Sequence, residues 1–231
     1  DLYFFSPHLK NIFNFKENGE TKIIKTEDVV NLATVLEDSV LFLTKPSQVF
    51  LIEKGKNEIS QVVTLETPYP DFNFNGVSSF AKNLYFLDKE AGQIIKYPFL
   101  RDLEWGSPVL WLNVQTTKVK GADSIVVDGS IWELNDNSIY EYYAGKLYKG
   151  VDFEIFPTPK EFSKISTVSS LSPHLYVLEP VQKRIIILTK EGELVKQFQS
   201  EKFDNLLDFA VSEDESTLYL LNGMSVYKIE L

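Results

Sequence analysis

A chain of 231 residues with a formal net charge of −10, 44% apolar and 13% aromatic, carries enough material for a large core and repels a phosphate backbone, so nucleic acid is excluded as a partner. The absence of cysteine excludes disulfide staples, thiolate metal sites and a cysteine nucleophile. No apolar run approaches the ~18 residues a membrane-spanning helix needs, and the opening at Asp1 without a charged-then-apolar leader predicts a segment cut from a longer protein.

In chain order, one hairpin recurs six times. The first copy is Leu2-Tyr3-Phe4-Phe5 with a partner run through Ile12 and Phe15, the second Val40-Leu41-Phe42-Leu43 with Val49-Phe50-Leu51-Ile52, and the third Leu84-Tyr85-Phe86-Leu87-Asp88 with Ile94-Ile95-Lys96-Tyr97. The fourth is Ile131-Trp132-Glu133-Leu134 with Ile139-Tyr140-Glu141-Tyr142, the fifth Leu175-Tyr176-Val177-Leu178-Glu179 with a run through Ile185 and Leu188, and the sixth Leu218-Tyr219-Leu220-Leu221 with Val226-Tyr227-Lys228-Ile229. Successive copies start about 38 to 47 residues apart, the period of a repeat architecture.

A further short apolar run precedes the hairpin in five units, at 30–35, 76–80, 124–127, 165–168 and 207–211. Another follows at 22–24, 59–63, 147–148 and 194–198, after turns carrying Gly19, Gly55, Gly145 and Gly192. Four antiparallel strands in about 40 residues make a propeller blade. The chain is therefore read as an all-β, six-bladed β-propeller of four-stranded blades, one domain over 1–231 with units at 1–26, 27–65, 66–112, 113–150, 151–200 and 201–231. Unit one lacks a first strand and unit six a fourth, so both terminal blades are expected to be incomplete. Only residues 27–37 have spacing that could pass for a helix, and they are read as strand. A pair of immunoglobulin-like sandwiches would not repeat one hairpin six times at one period.

The recurring Leu-Tyr-x-Leu-Asp/Glu, turn and Gln/Arg-Ile-Ile pattern at 84–97 and 175–188 resembles the blades of NHL-type and TolB-type six-bladed propellers, over essentially the whole chain. More narrowly, Leu84 to Asp88 with Gln93-Ile94-Ile95-Lys96-Tyr97-Pro98, Asp128-Gly129-Ser130-Ile131-Trp132 and Leu206-Leu207-Asp208-Phe209-Ala210-Val211 resemble the C-terminal propeller of PPM-phosphatase-like membrane proteins from candidate-phylum bacteria. That resemblance implies an extracytoplasmic bacterial domain tethered through an upstream helix. No phosphatase residue lies in the segment, so no such activity carries over.

Catalytic patterns are sparse. The two histidines, His8 and His174, sit in Ser-Pro-His-Leu tetrapeptides that fall out of register with each other, and no nucleophile elbow, zinc-binding helix or phosphate-cradling glycine loop occurs. A calcium-dependent lactonase- or esterase-like hydrolase is the enzyme alternative, with Asp28, Asn31, Asp123, Asn205 and Asp208 as oxygen ligands pointing into a central channel; the competing reading is that these residues satisfy strand ends and turns. Asn135-Asp136-Asn137 is read as a hairpin turn.

The favoured reading is a non-catalytic binding or sensing module without a cofactor, using one propeller face for a protein, peptide or small ligand. Three long connections, 66–75, 113–123 and 152–164, are expected on that face. Tyr69, Phe72 and Phe74 in the first and Phe153, Phe156 and Phe162 in the third are its candidate contacts, since interface centres are rich in aromatic rings. The same rings could instead fold back and seal the blade tops. Trp105, in the excursion at 98–108, is the candidate anchor on the opposite face.

Overall fold

Runs of β-branched, leucine and aromatic residues that are apolar at successive positions cannot leave either face of a strand in water, and in this protein they form the middle strands of stacked sheets. The computed structural model describes residues 2–6, 8–16, 18–45, 47–113 and 119–231. Pro7 of the repeated tetrapeptide and residues 114–118 of the predicted 113–123 connection lie outside them.

Blade one contains β1 (Leu2–Phe5), β2 (Asn11–Phe15) and β3 (Thr21–Lys25); blade two contains β4 (Leu32–Val35), β5 (Ser39–Lys45), β6 (Gln48–Glu53) and β7 (Gln61–Thr64). Blade three begins with β8 (Gly76–Phe80), β9 (Asn83–Asp88) and β10 (Gln93–Tyr97), makes an excursion through the small hairpin of β11 (Phe99–Arg101) and β12 (Glu104–Trp105), and closes with β13 (Val109–Leu110) against β10. Blade four is β14 (Ser124–Val127), β15 (Ile131–Asn135), β16 (Ser138–Tyr143) and β17 (Lys146–Val151). Blade five is β18 (Lys164–Ser166), β19 (His174–Glu179), β20 (Arg184–Thr189) and β21 (Leu194–Gln199), and blade six β22 (Leu206–Val211), β23 (Thr217–Asn222) and β24 (Ser225–Glu230). The fold is an all-β six-bladed propeller of antiparallel meander sheets, four-stranded in blades two to five and three-stranded at each end of the described chain.

Residues 27–37 form no helix; their ordered part is β4, paired with β5 from Leu32↔Leu43 to Val35↔Val40. The Asp136-Asn137 pair is a two-residue turn between Asn135 and Ser138, both with positive φ (53° and 64°), the geometry that suits the twist of a tight hairpin.

Contacts divide the chain into two units, residues 1–88 with 94–111, and residues 89–93 with 112–231. In the first, Ile12, Val40, Phe42, Phe50 and Ile52 pack blade one against blade two, and Leu41, Leu51, Phe72, Phe86 and Tyr97 pack blade two against blade three. In the second, Trp132, Leu134, Phe162, Val177 and Ile186 lie between blades four and five, and Tyr176, Ile185, Ile187, Phe209 and Leu220 between blades five and six. Burial is greatest in the middle strands and falls away on outer strands such as β3 and β21. Truncating one of these leucines or isoleucines to alanine removes about 2–5 kcal/mol.

Candidate binding site

The residue that ends the second strand is polar in blades three to six: Asp88, Asn135, Glu179 and Asn222. In every case it takes hold of the connection arriving from the blade before, whose backbone groups would otherwise be stranded near the core. Asp88 accepts the Tyr69 hydroxyl at 2.7 Å and the Asn73 amide at 3.4 Å. Asn135 donates to the Lys120 carbonyl at 3.4 Å, and Asn222 donates to the Lys202 carbonyl at 3.2 Å while accepting the Asn205 amide at 2.9 Å. Glu179 accepts the Lys160 amide at 2.5 Å. In blade two the connection does the reaching instead, the Asn31 side chain donating to the Thr44 main-chain carbonyl at 3.0 Å.

At blade three the connection 66–75 is sealed by this arrangement. Tyr69 stacks edge-on to Phe72 with ring centres 5.2 Å apart, Phe72 meets Phe74 at 4.0 Å, and Phe74 lies on Phe86 of β9. The Tyr97 hydroxyl donates to the Glu66 carbonyl at 2.6 Å. Burial first, and then the bond to Asp88, push the Tyr69 phenol well above the ordinary tyrosine range. Phe72 is buried, and Tyr69 and Phe74 are half-buried against the same core. These three rings close the top of blade three.

At blade five the connection 152–163 rests on a buried ion pair. Arg184 and Glu179 are both fully inaccessible; Arg184 Nε donates to Glu179 at 2.5 Å, Nη1 to Gln197 at 2.8 Å and Nη2 to the Pro157 carbonyl at 2.7 Å. Gln182 donates to the Thr158 carbonyl at 2.6 Å and to Glu179 at 2.8 Å, and Gln197 to the Phe156 carbonyl at 3.0 Å. From blade four, Asn137 donates to the Lys160 carbonyl at 2.8 Å and accepts the Phe162 amide at 2.7 Å. Side chains thus fix the backbone at 156, 157, 158, 160 and 162. Phe162 and Ile155 are buried and Phe153 is half-buried, whereas Phe156 stands 86% exposed.

Two open clefts flank Phe153 and Glu154. One, of about 440 Å3, is lined by Asn137, Phe153, Glu154, Ile155, Thr158 and Pro159; the other, of about 500 Å3, by Asp152, Phe153, Glu154, Glu191, Gly192, Glu193 and Leu194. Gly192 is forced by packing as well as by its φ of +100°: a Cβ there would lie 2.0 Å from the Asp152 carbonyl oxygen. The Thr189–Glu193 turn is thereby pinned to the start of the connection.

Of the seven rings singled out from the sequence, Phe72 and Phe162 are core residues, and a buried ring cannot meet a partner without opening its blade. Trp105 is not an exposed anchor. It is half-buried, packed edge-on to Phe99 at 6.0 Å, and its indole N–H donates to the Lys82 carbonyl at 2.9 Å, so both its apolar body and its polar tip are engaged. Phe156 remains as the ring offered to solvent.

Three of the oxygen ligands of the hydrolase alternative have side chains engaged separately: Asp208 pairs with Lys164, Asp123 accepts the Asp136 amide at 3.3 Å, and the Asn31 side chain donates to the Thr44 carbonyl at 3.0 Å. Of the other two, the main-chain carbonyl of Asp28 accepts the Thr26 hydroxyl at 2.6 Å and that of Asn205 the Gly223 amide at 2.8 Å. Among the described residues no group of three or more histidine, aspartate or glutamate side chains is arranged to hold a metal ion.

The grouping around His174 has no signature in the amino-acid pattern. Its Nδ1 lies 2.7 Å from Glu215, which also accepts the Tyr176 hydroxyl at 2.8 Å. Burial alone would raise the Glu215 carboxyl, but hydrogen bonds from His174, Ser172 and Tyr176 outweigh it and hold the group below the ordinary range. The cluster joins the start of β19 to the turn before β23.

No protein-family model and no curated protein sequence matches the chain. Solved structures do match its fold. Virginiamycin B lyase from Staphylococcus aureus aligns over 99% of this chain and 80% of its own at 14% identity with a TM-score of 0.61. A protein of unknown function from Bacteroides caccae aligns over 99% and 89% at 9% identity with a TM-score of 0.66, and glutaminyl cyclase from Myxococcus xanthus over 87% and 91% at 8% identity with a TM-score of 0.58. Identities this low establish a shared fold alone.

Proposed function

We propose that this propeller is a non-catalytic recognition module that holds a protein or peptide partner at the connection between blades four and five, with Phe156 as the anchoring side chain. The observation that carries this is an 86% exposed aromatic ring on a segment whose backbone is fixed from beneath by Glu179, Arg184, Gln182, Gln197 and Asn137. A ring on a preordered support loses little conformational freedom on binding, and aromatic anchors of this kind dominate interface energetics. The flanking clefts are open troughs, which suit an extended segment better than an enclosed small ligand. The blade motifs further support an NHL- or TolB-type propeller, and the narrower resemblance an extracytoplasmic domain tethered to a membrane.

The test is selection of a displayed random-peptide library on the wild-type protein, followed by affinity measurement on Phe156→Ala. Selected peptides should share a consensus and lose about tenfold or more in affinity on the variant, with unfolding unchanged. Peptides that bind both proteins equally would place recognition elsewhere.

A further inference from the structure

We propose that a second copy of this chain pairs with the open edge of β24, the last strand of blade six, joining two three-stranded sheets antiparallel across a twofold axis. This surface is separate from the Phe156 connection and does not rest on the recognition reading.

An edge strand is a template for further pairing, and folded proteins blunt their edges with bulges, short strands and lysines. The outer strands of blades one to five show these devices. The ladders of β17 and β21 are each broken by a register shift, opposite Glu141/Tyr142 and opposite Ile187/Leu188. β7 spans four residues, β13 spans two, and β3 carries Lys22 and Lys25 with no acid between them. β24 instead runs six residues in unbroken register, from Asn222↔Ser225 to Thr217↔Glu230, and holds one lysine and one acid.

The direction of its backbone groups is fixed. Leu231 N donates to the Ser216 carbonyl at 2.9 Å, so odd-numbered positions turn their N–H and C=O toward β23, while Val226, Lys228 and Glu230 turn theirs outward. Among the described residues no strand pairs with that side of β24.

An antiparallel copy must set even positions against even ones, which leaves few registers. Centring the axis on Lys228 brings two lysines face to face, and centring it on Tyr227 sets each Lys228 against Val226. Centring it on Ile229 sets Lys228 against Glu230 of the second copy and Glu230 against Lys228, an ion pair made twice, each on residues that also exchange backbone hydrogen bonds. Both side chains are exposed, and neither has an ion-pair partner in its own chain among the described residues. On the other face the same register places Ile229 opposite Ile229 and Tyr227 opposite Leu231, continuing the apolar side of β24 that packs on the core between blades five and six. The strand is thus complementary to itself in charge and in pattern, as a twofold contact requires.

The test is sedimentation velocity of the whole chain between about 1 and 100 µM, which should show a reversible monomer–dimer equilibrium. Lys228→Glu and Glu230→Lys should each weaken dimerisation about tenfold or more by setting like charges opposite one another, and the two variants mixed should recover it, since each then meets the opposite sign at both positions. Because the chain has no cysteine, Ile229→Cys supplies a measurement that needs no loss of binding: mild oxidation should link it to its own copy, whereas Val226→Cys should stay unlinked. A chain that remains monomeric over the whole range, dimers indifferent to both reversals, a mixture that stays monomeric, or linkage through position 226 and not 229 would each overturn the proposal.

Discussion

The connections ahead of blades three and five are made from similar ingredients and end differently. Each carries three aromatic rings and two prolines, and each docks on the acidic residue that ends the second strand of the blade it enters, Asp88 or Glu179. At blade three the acid binds a tyrosine hydroxyl, so the rings are drawn down over the core. At blade five it binds an arginine and a backbone amide, so the loop backbone is held directly and one ring is released to solvent. What lies under a loop, rather than its composition, decides whether its aromatics seal the fold or face outward.

The sharpest way to break this comparison is to remove what each loop rests on. Phe72→Ala should lower the unfolding free energy by about 3–5 kcal/mol in a denaturant titration, because it empties a packed site. Arg184→Met should cost a comparable amount, about 3–5 kcal/mol, by leaving Glu179 buried without its cation; the double change with Glu179→Leu should recover much of that loss. A double variant as unstable as the single one would mean that the loop itself, and not the orphaned charge, is what the pair maintains.

Gly192→Ala should cost about 2–3 kcal/mol through its clash with Asp152, whereas Gly55→Ala, at a φ of +82° with nothing within 4 Å, should cost only about 1 kcal/mol for its backbone conformation. Tyr69→Phe should cost about 1–2 kcal/mol by removing the hydroxyl that donates to Asp88. Because the folded-state pKa of Tyr69 is raised, its contribution is intact below about pH 10 and is lost as pH rises toward the folded value, so the variant should show a shallower alkaline decline in stability. The smallest change is expected at Phe156→Ala, within about 0.5 kcal/mol of wild type in the same titration, since that ring touches little.

Much of the scaffold was legible because local pattern and global burial agree. The runs read at 76–80 and 124–127 are β8 and β14 to the residue, and the Asn135-Asp136-Asn137 turn falls where two left-handed residues fit a hairpin. The fate of the aromatic rings was not legible. Tyr69 is decided by Asp88, 19 residues away, and Trp105 by the Lys82 carbonyl, 23 away, so no window of sequence around either ring contains the answer. Gly192 could be read as a turn glycine, but its closeness to Asp152 is a tertiary fact, as is the meeting of His174 with Glu215 across 41 residues.

The strand-end polar residue also bears on how surface loops can be exchanged in this architecture. Because the connections entering blades three to six are gripped by the second strand of the blade they enter, a loop grafted without that strand would arrive without part of its fastening. The transplantable piece is therefore staggered against the sheets, running from the end of one blade through the first hairpin of the next.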